Sequence, residues 1–68
     1  MASRTYEAVL SRPDNLTQVR QQIRMIERAG GRVRMNPPTP EGLVVVTLIL
    51  PEGRVPAEFL PGLPFFPV

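Results

Sequence analysis

LVVVTLILPEG, residues 43–53, is the stretch whose reading decides the fold of this chain. It is rich in β-branched residues and reads as the longest strand of the sequence. A strand with one wet face alternates apolar and polar side chains. Here Leu43, Val45, Thr47 and Ile49 on one face and Val44, Val46, Leu48 and Leu50 on the other are nearly all apolar. Both faces of the strand are therefore expected to be covered. The apolar run stops after residue 50, far short of the roughly 20 residues that span a bilayer as a helix.

Working toward the N-terminus, PPTPEG (residues 37–42) is a rigid turn, and RVRMN (residues 32–36) alternates Val33 and Met35 against Arg32 and Arg34. Those two strands form a hairpin. Before them, NLTQVRQQIRMIERAGG (residues 15–31) sets Leu16, Val19, Ile23 and Ile26 on one helical stripe. Asn15 is expected as the N-cap, with Gln18 reaching back as in a capping box. Gly30 and Gly31 fall where a helix stop needs a left-handed residue. TYEAVLS (residues 5–11) is a half-buried strand, with Tyr6, Ala8 and Leu10 facing in and Thr5, Glu7, Val9 and Ser11 facing out. Pro13, within the turn-forming RPDN, follows it.

The element order is β-α-β-β. A right-handed crossover leaves room for the long strand between its two parallel neighbours. The expected class is α+β: a ferredoxin-like half at residues 1–55, with a three-stranded sheet, one helix on one face and an extended Pro-rich segment at residues 56–68. In that segment, EFLPGLPFFPV (residues 58–68), the prolines at 61, 64 and 67, with Pro56 before them, oppose a helix and stiffen the chain. Phe59, Leu60, Leu63, Phe65 and Phe66 have two destinations: the sheet face opposite the helix, or a partner's groove. Homo-oligomerisation through that same uncovered sheet face is a third use for it. A chain this short buries only about 60% of its unfolded surface, so the destination matters to its stability.

The chain has no Cys and no His, which removes disulfides and the usual metal ligands. Its six acids are scattered, and no base is spaced to activate a hydroxyl, so neither an enzyme nor a cofactor or metal site is expected. Net charge is +2, and all eight basic residues are Arg, the residue suited to bidentate contacts with carboxylates and phosphates. Arg20, Arg24 and Arg28 stand four apart on the helix's outer face, with Glu27 placed to pair with Arg24. Arg32 and Arg34 are expected to extend that stripe. An acidic protein is the partner class this favours. Nucleic acid is the alternative, with the strands offering Tyr6 alone as an aromatic for stacking. A small inhibitor or assembly factor of another protein is a third reading. No apolar run near residue 1 suits a signal peptide, so a cytoplasmic location is expected.

Thr5 to Pro38 resembles the CpcD-like linker domain of cyanobacterial phycobilisomes. The resemblance centres on IERAGGRV (residues 26–33), where Ile26, Gly30, Gly31 and Val33 match the family's helix-Gly-Gly-strand join. The family carries an extra strand before this unit, whereas this chain adds a long strand and a tail after it. The resemblance implies a pigment-free, non-catalytic linker or cap in photosynthesis. Such a protein binds acidic phycobiliprotein rings and works in the cytoplasm at the thylakoid surface.

Overall fold

A computed structural model of the protein describes residues 2–68. The elements run β1 (Ser3–Leu10), α1 (Pro13–Arg28), β2 (Arg32–Met35), β3 (Val44–Pro51), a one-turn 3₁₀ helix (Pro56–Glu58) and β4 (Phe66–Pro67). All strand pairings are antiparallel, in the order β2-β3-β1-β4. The long strand is central, as the crossover and hairpin predict, and β1 and β2 run parallel on either side of it. The sheet has four strands rather than the expected three, because the tail itself supplies the last. Phe66 pairs with Glu7 and Pro67 with Tyr6, and the Val68 N–H donates to the Thr5 carbonyl at 3.0 Å.

The helix begins three residues earlier than its apolar stripe suggests. Arg12, not Asn15, occupies the N-cap position, without a side-chain capping bond, and Pro13 heads the first turn. The Arg12 carbonyl accepts from the N–H groups of Asn15 and Leu16 at 3.1 and 3.3 Å. Proline's fixed φ and missing N–H suit that first position, where no intrahelical donor is needed. Asn15 is thus already inside the helix. Gln18, freed from the cap, donates from Nε2 to the Pro61 carbonyl at 3.3 Å and ties the helix to the tail.

At the other end two glycines answer two separate demands. The Gly30 N–H donates to the Glu27 carbonyl and the Gly31 N–H to the Ile26 carbonyl, at 3.0 and 2.8 Å. That is the Schellman pattern, and Gly30 holds the required positive φ of 91°. Gly31 is needed for space. A Cβ there would sit 2.8 Å from both the Ile26 Cγ2 and the Ile49 carbonyl oxygen. The close join lets the helix drop straight onto the sheet.

The core collects Tyr6, Ala8 and Leu10 from β1, Val19 and Ile26 from α1, and Val44, Val46, Leu48 and Leu50 from β3. Phe59 and Leu60 from the tail complete it, with Leu63 and Phe65 packed against it. The tail therefore folds back, but onto the helix side of the sheet rather than the opposite face. Widths explain this. A helix is about 10 Å across, whereas four strands span roughly 19 Å, so one helix covers only about half a face. Phe59 and Leu60 share one buried cluster with Tyr6, Ala8 and Leu10 of β1 and with Val19 and Ile26 of α1, so the tail supplies cover that one helix does not.

The second face of β3 is consequently not covered, contrary to the reading of its composition. Val45 and Thr47 are half-buried, and Ile49 is 36% exposed. Their partial burial comes from cross-strand neighbours within the sheet, not from another layer.

Candidate docking surfaces

Two surfaces stand out, on opposite sides of the molecule. The first is the outer face of α1, where Arg20, Arg24 and Arg28 are all exposed. The expected Arg24–Glu27 pair does not form. Among the described residues the sole ion pair joins Arg54 to Glu58 at 2.8 Å, and Arg54 also lies over the Phe59 ring, 5.4 Å from its centroid. Of the eight arginines, all except Arg54 are without a carboxylate within 4.0 Å among the described residues. The helix places three of these free cations in one row.

The second surface is the open face of the sheet. Residues directly paired across antiparallel strands project to the same side. Register thus defines rows of neighbours on this face. Arg34, Thr47, Glu7 and Phe66 form one row across all four strands. Arg32, Ile49 and Thr5 form a second, and Val45 and Val9 a third. Val9 is 48%, Ile49 36% and, at the β4 edge, Phe66 47% exposed, so apolar side chains flank a polar Thr47–Glu7 middle, and the β2 rim is basic. Glu7, half-buried, is its only acid.

Arg32 and Arg34 therefore do not extend the helical stripe. Their pairing with Ile49 and Thr47 turns them to the face away from the helix. A shallow hollow of about 320 Å³ lined by Glu27, Arg32, Val33, Arg34, Thr47 and Ile49 wraps the β2 edge between the two surfaces. Of the apolar tail residues, Phe59 and Leu60 are buried in the chain's own core, and Leu63 and Phe65 are half-buried against it. None of these four is free to fill a partner's groove while the fold is intact. Phe66 and, opposite Thr5, Val68 reach the open face. Tyr6 is 7% exposed and points into the core, so the strands show no free aromatic except Phe66 at the edge.

Sequence reasoning missed Val9, Val45, Ile49 and Glu7 as surface residues that could meet a partner. The signals were present: Val9 is the apolar residue on the polar side of β1, and β3 is apolar on both sides. Val9 and Glu7 read as outward-facing, whereas Val45 and Ile49 read as covered, because a strand apolar on both sides calls for cover and a tail is available to supply it.

No helix among the described residues is long and apolar enough to cross a membrane, and no three acidic side chains come together. Comparison with family models, with curated proteins and with solved structures finds no match.

Proposed function

We propose that this chain is a non-catalytic protein-binding module that docks an acidic protein surface through Arg20, Arg24 and Arg28. The observation that carries this reading is the row of three exposed arginines with no intramolecular carboxylate. Like charges at i,i+4 on a helix destabilise it by a few tenths of a kcal/mol per pair. Glu27 lies on the same helix and leaves the stripe unneutralised. A row of this kind gains from an external carboxylate partner through complementarity and faster encounter.

The finer reading takes its partner from the resemblance to phycobilisome linkers: an acidic phycobiliprotein ring, met at the thylakoid surface. The crossover β1–α1–β2 with β3 between supports a ferredoxin-like half. The tail strand beside β1 takes the flank that a second half would otherwise occupy. The test is retention of phycobiliprotein hexamers or a nucleic-acid pool on the immobilised intact chain, at about 150 mM salt to screen diffuse attraction. Pigment is expected on the resin, and Arg20→Glu, Arg24→Glu and Arg28→Glu together should remove it. Three exposed ion pairs contribute about 0.6–3 kcal/mol together, roughly a 3- to 150-fold change in affinity. Retention of nucleic acid without pigment would overturn the assignment and promote a phosphate-binding role for the same arginines. Retention of neither would leave the phycobiliprotein reading without support and send the search to other acidic proteins.

A further inference from the structure

The open sheet face carries a pattern that a single chain does not use. We propose that a second copy of this chain closes it, the two sheets packing face to face about a two-fold axis that runs parallel to the strands between β1 and β3.

Charge placement selects both the occupant and the orientation. The face has a basic rim on β2, formed by Arg32 and Arg34, and one acid near its middle, Glu7 on β1. A two-fold axis along the strands exchanges β2 with β4 and β3 with β1, while keeping each row at its own height. Arg34 of one copy then lies over Phe66 of the other and beside its Glu7. Val45 lies over Val9, and Ile49 over Thr5. Each charged residue of the central row gains an opposite charge, and Arg34 also gains an aromatic face, a favourable partner for a guanidinium. The alternative two-fold axis, in the plane of the interface but across the strands, would stack β2 on β2 and set arginines against arginines. Repulsion rejects that arrangement.

A uniformly acidic partner fits this face poorly. It would satisfy the rim but bury Glu7 among like charges, and leaving a buried charge unpaired is strongly unfavourable. A wholly apolar partner would strand Glu7 and both arginines. A second copy brings the missing arginine in the same row, which is the self-complementarity an isologous contact requires. Packed sheets lie about 10 Å apart with strands within about 30° of each other, a gap that an Arg and a Glu side chain together can bridge.

The size of the face sets the strength. Strands of 4, 8, 8 and 2 residues, rising about 3.3 Å per residue and lying about 4.8 Å apart, give on the order of 350 Å² per copy. That lies below the roughly 800 Å² per partner of standard interfaces. A weak dimer, with a dissociation constant in the micromolar range, is what such a patch supports.

This inference does not rest on the acidic-partner reading, because the helix arginines lie on the far side of the sheet. Should both hold, the dimer presents two arginine rows facing outward in opposite directions. It would then bridge two acidic surfaces, with the second contact favoured by the first.

The experiment is sedimentation equilibrium on the intact chain from about 1 to 500 μM, a span chosen to bracket a micromolar dimer. The mass should rise with concentration from the 7.6 kDa of the monomer toward twice that value. Glu7→Arg alone and Arg34→Glu alone should each weaken dimerisation at least about tenfold, as expected for one close charge pair. The double variant, in which the two charges have changed places, should recover most of the loss. Val9→Asp, at an exposed position, should also dissociate the dimer. Circular dichroism of each variant checks that the monomer still folds, since none of these positions belongs to the core. A mass that stays at 7.6 kDa throughout, a dimer indifferent to both single reversals, or a double variant no better than the singles would overturn the proposal. The triple helix variant, Arg20→Glu with Arg24→Glu and Arg28→Glu, should leave dimerisation unchanged, so this test fails or succeeds separately from the binding assay.

Discussion

Leu60→Ala tests where the tail belongs. Leu60 is 1% exposed and shares a cluster with Val19, Ile26, Leu48 and Leu50, although it lies 10 to 41 residues from them along a chain that could have left it free. Truncating a buried Leu costs about 2–5 kcal/mol, with the spread set by how far the surroundings collapse. The tail is held by few hydrogen bonds, among them Val68 N–H to the Thr5 carbonyl at 3.0 Å and Gln18 Nε2 to the Pro61 carbonyl at 3.3 Å. It can therefore move partway into the space, and about 2–3 kcal/mol is expected. A domain of this length has on the order of 3–10 kcal/mol in total, so the loss is a large share. Each kcal/mol shifts the melting temperature of so small a domain by about 4–8 °C, which gives a drop of about 10–20 °C. Far-UV circular dichroism melts at low micromolar concentration would read it. Phe66→Ala is the control. Its ring is 47% exposed on the other side of the sheet, and its loss should cost the monomer less than about 1 kcal/mol. If Leu60→Ala melts within about 3 °C of the parent, or if Phe66→Ala is the more damaging change, the tail does not complete the helix-side core.

Gly31→Ala should destabilise the domain by about 1–3 kcal/mol, because its new Cβ would press on the Ile49 carbonyl oxygen, which is backbone and cannot swing aside. Chemical denaturation would show a lower midpoint with an unchanged slope; a neutral result would mean the helix–sheet join is looser than drawn. Asn15→Ala should be nearly neutral, within about 0.5 kcal/mol, since Asn15 lies inside the helix and makes no capping bond. A loss near 1 kcal/mol in the same assay, the usual cost of removing a cap, would return the helix start to Asn15.

The parts of the fold that were legible in the sequence are those where one local rule acts without competition. The stripe of Leu16, Val19, Ile23 and Ile26 and the Gly-Gly stop marked the helix, the β-branched run of residues 43–50 marked the long strand, and the crossover with its hairpin marked that strand's central place. Where two rules competed, the weaker cue was followed. Asn15 had the better capping side chain, but Pro13 had the fixed φ, and backbone geometry prevailed. The tail's five large apolar residues pointed to burial but not to which side. That choice depends on helix width against sheet width, a property of the assembled layers that no short stretch encodes. Arg32 and Arg34 were grouped with the helical arginines because they follow closely in sequence. Only the register with β3 shows that they project to the opposite side.

The division of cover between helix and tail has a consequence for function. Helix and tail together seal one face, and this uses up Phe59, Leu60, Leu63 and Phe65, the residues that looked best suited to a partner. What remains outside is chemically split: arginines without acids on the helix, and an apolar strip with one acid and a basic rim on the sheet. A chain selected only for folding would gain by placing acids among Arg20, Arg24 and Arg28, since i,i+4 pairs of opposite charge stabilise a helix and like pairs oppose it. It would also gain by polar residues at Val9 and Ile49, where exposure makes apolar side chains an aggregation hazard on a sheet. Both departures run against the stability of the isolated domain, and they do so on separate faces. Two contacts of different chemistry explain them together: an electrostatic one at the helix and a self-complementary one at the sheet. A single contact would leave one of the two departures without a reason.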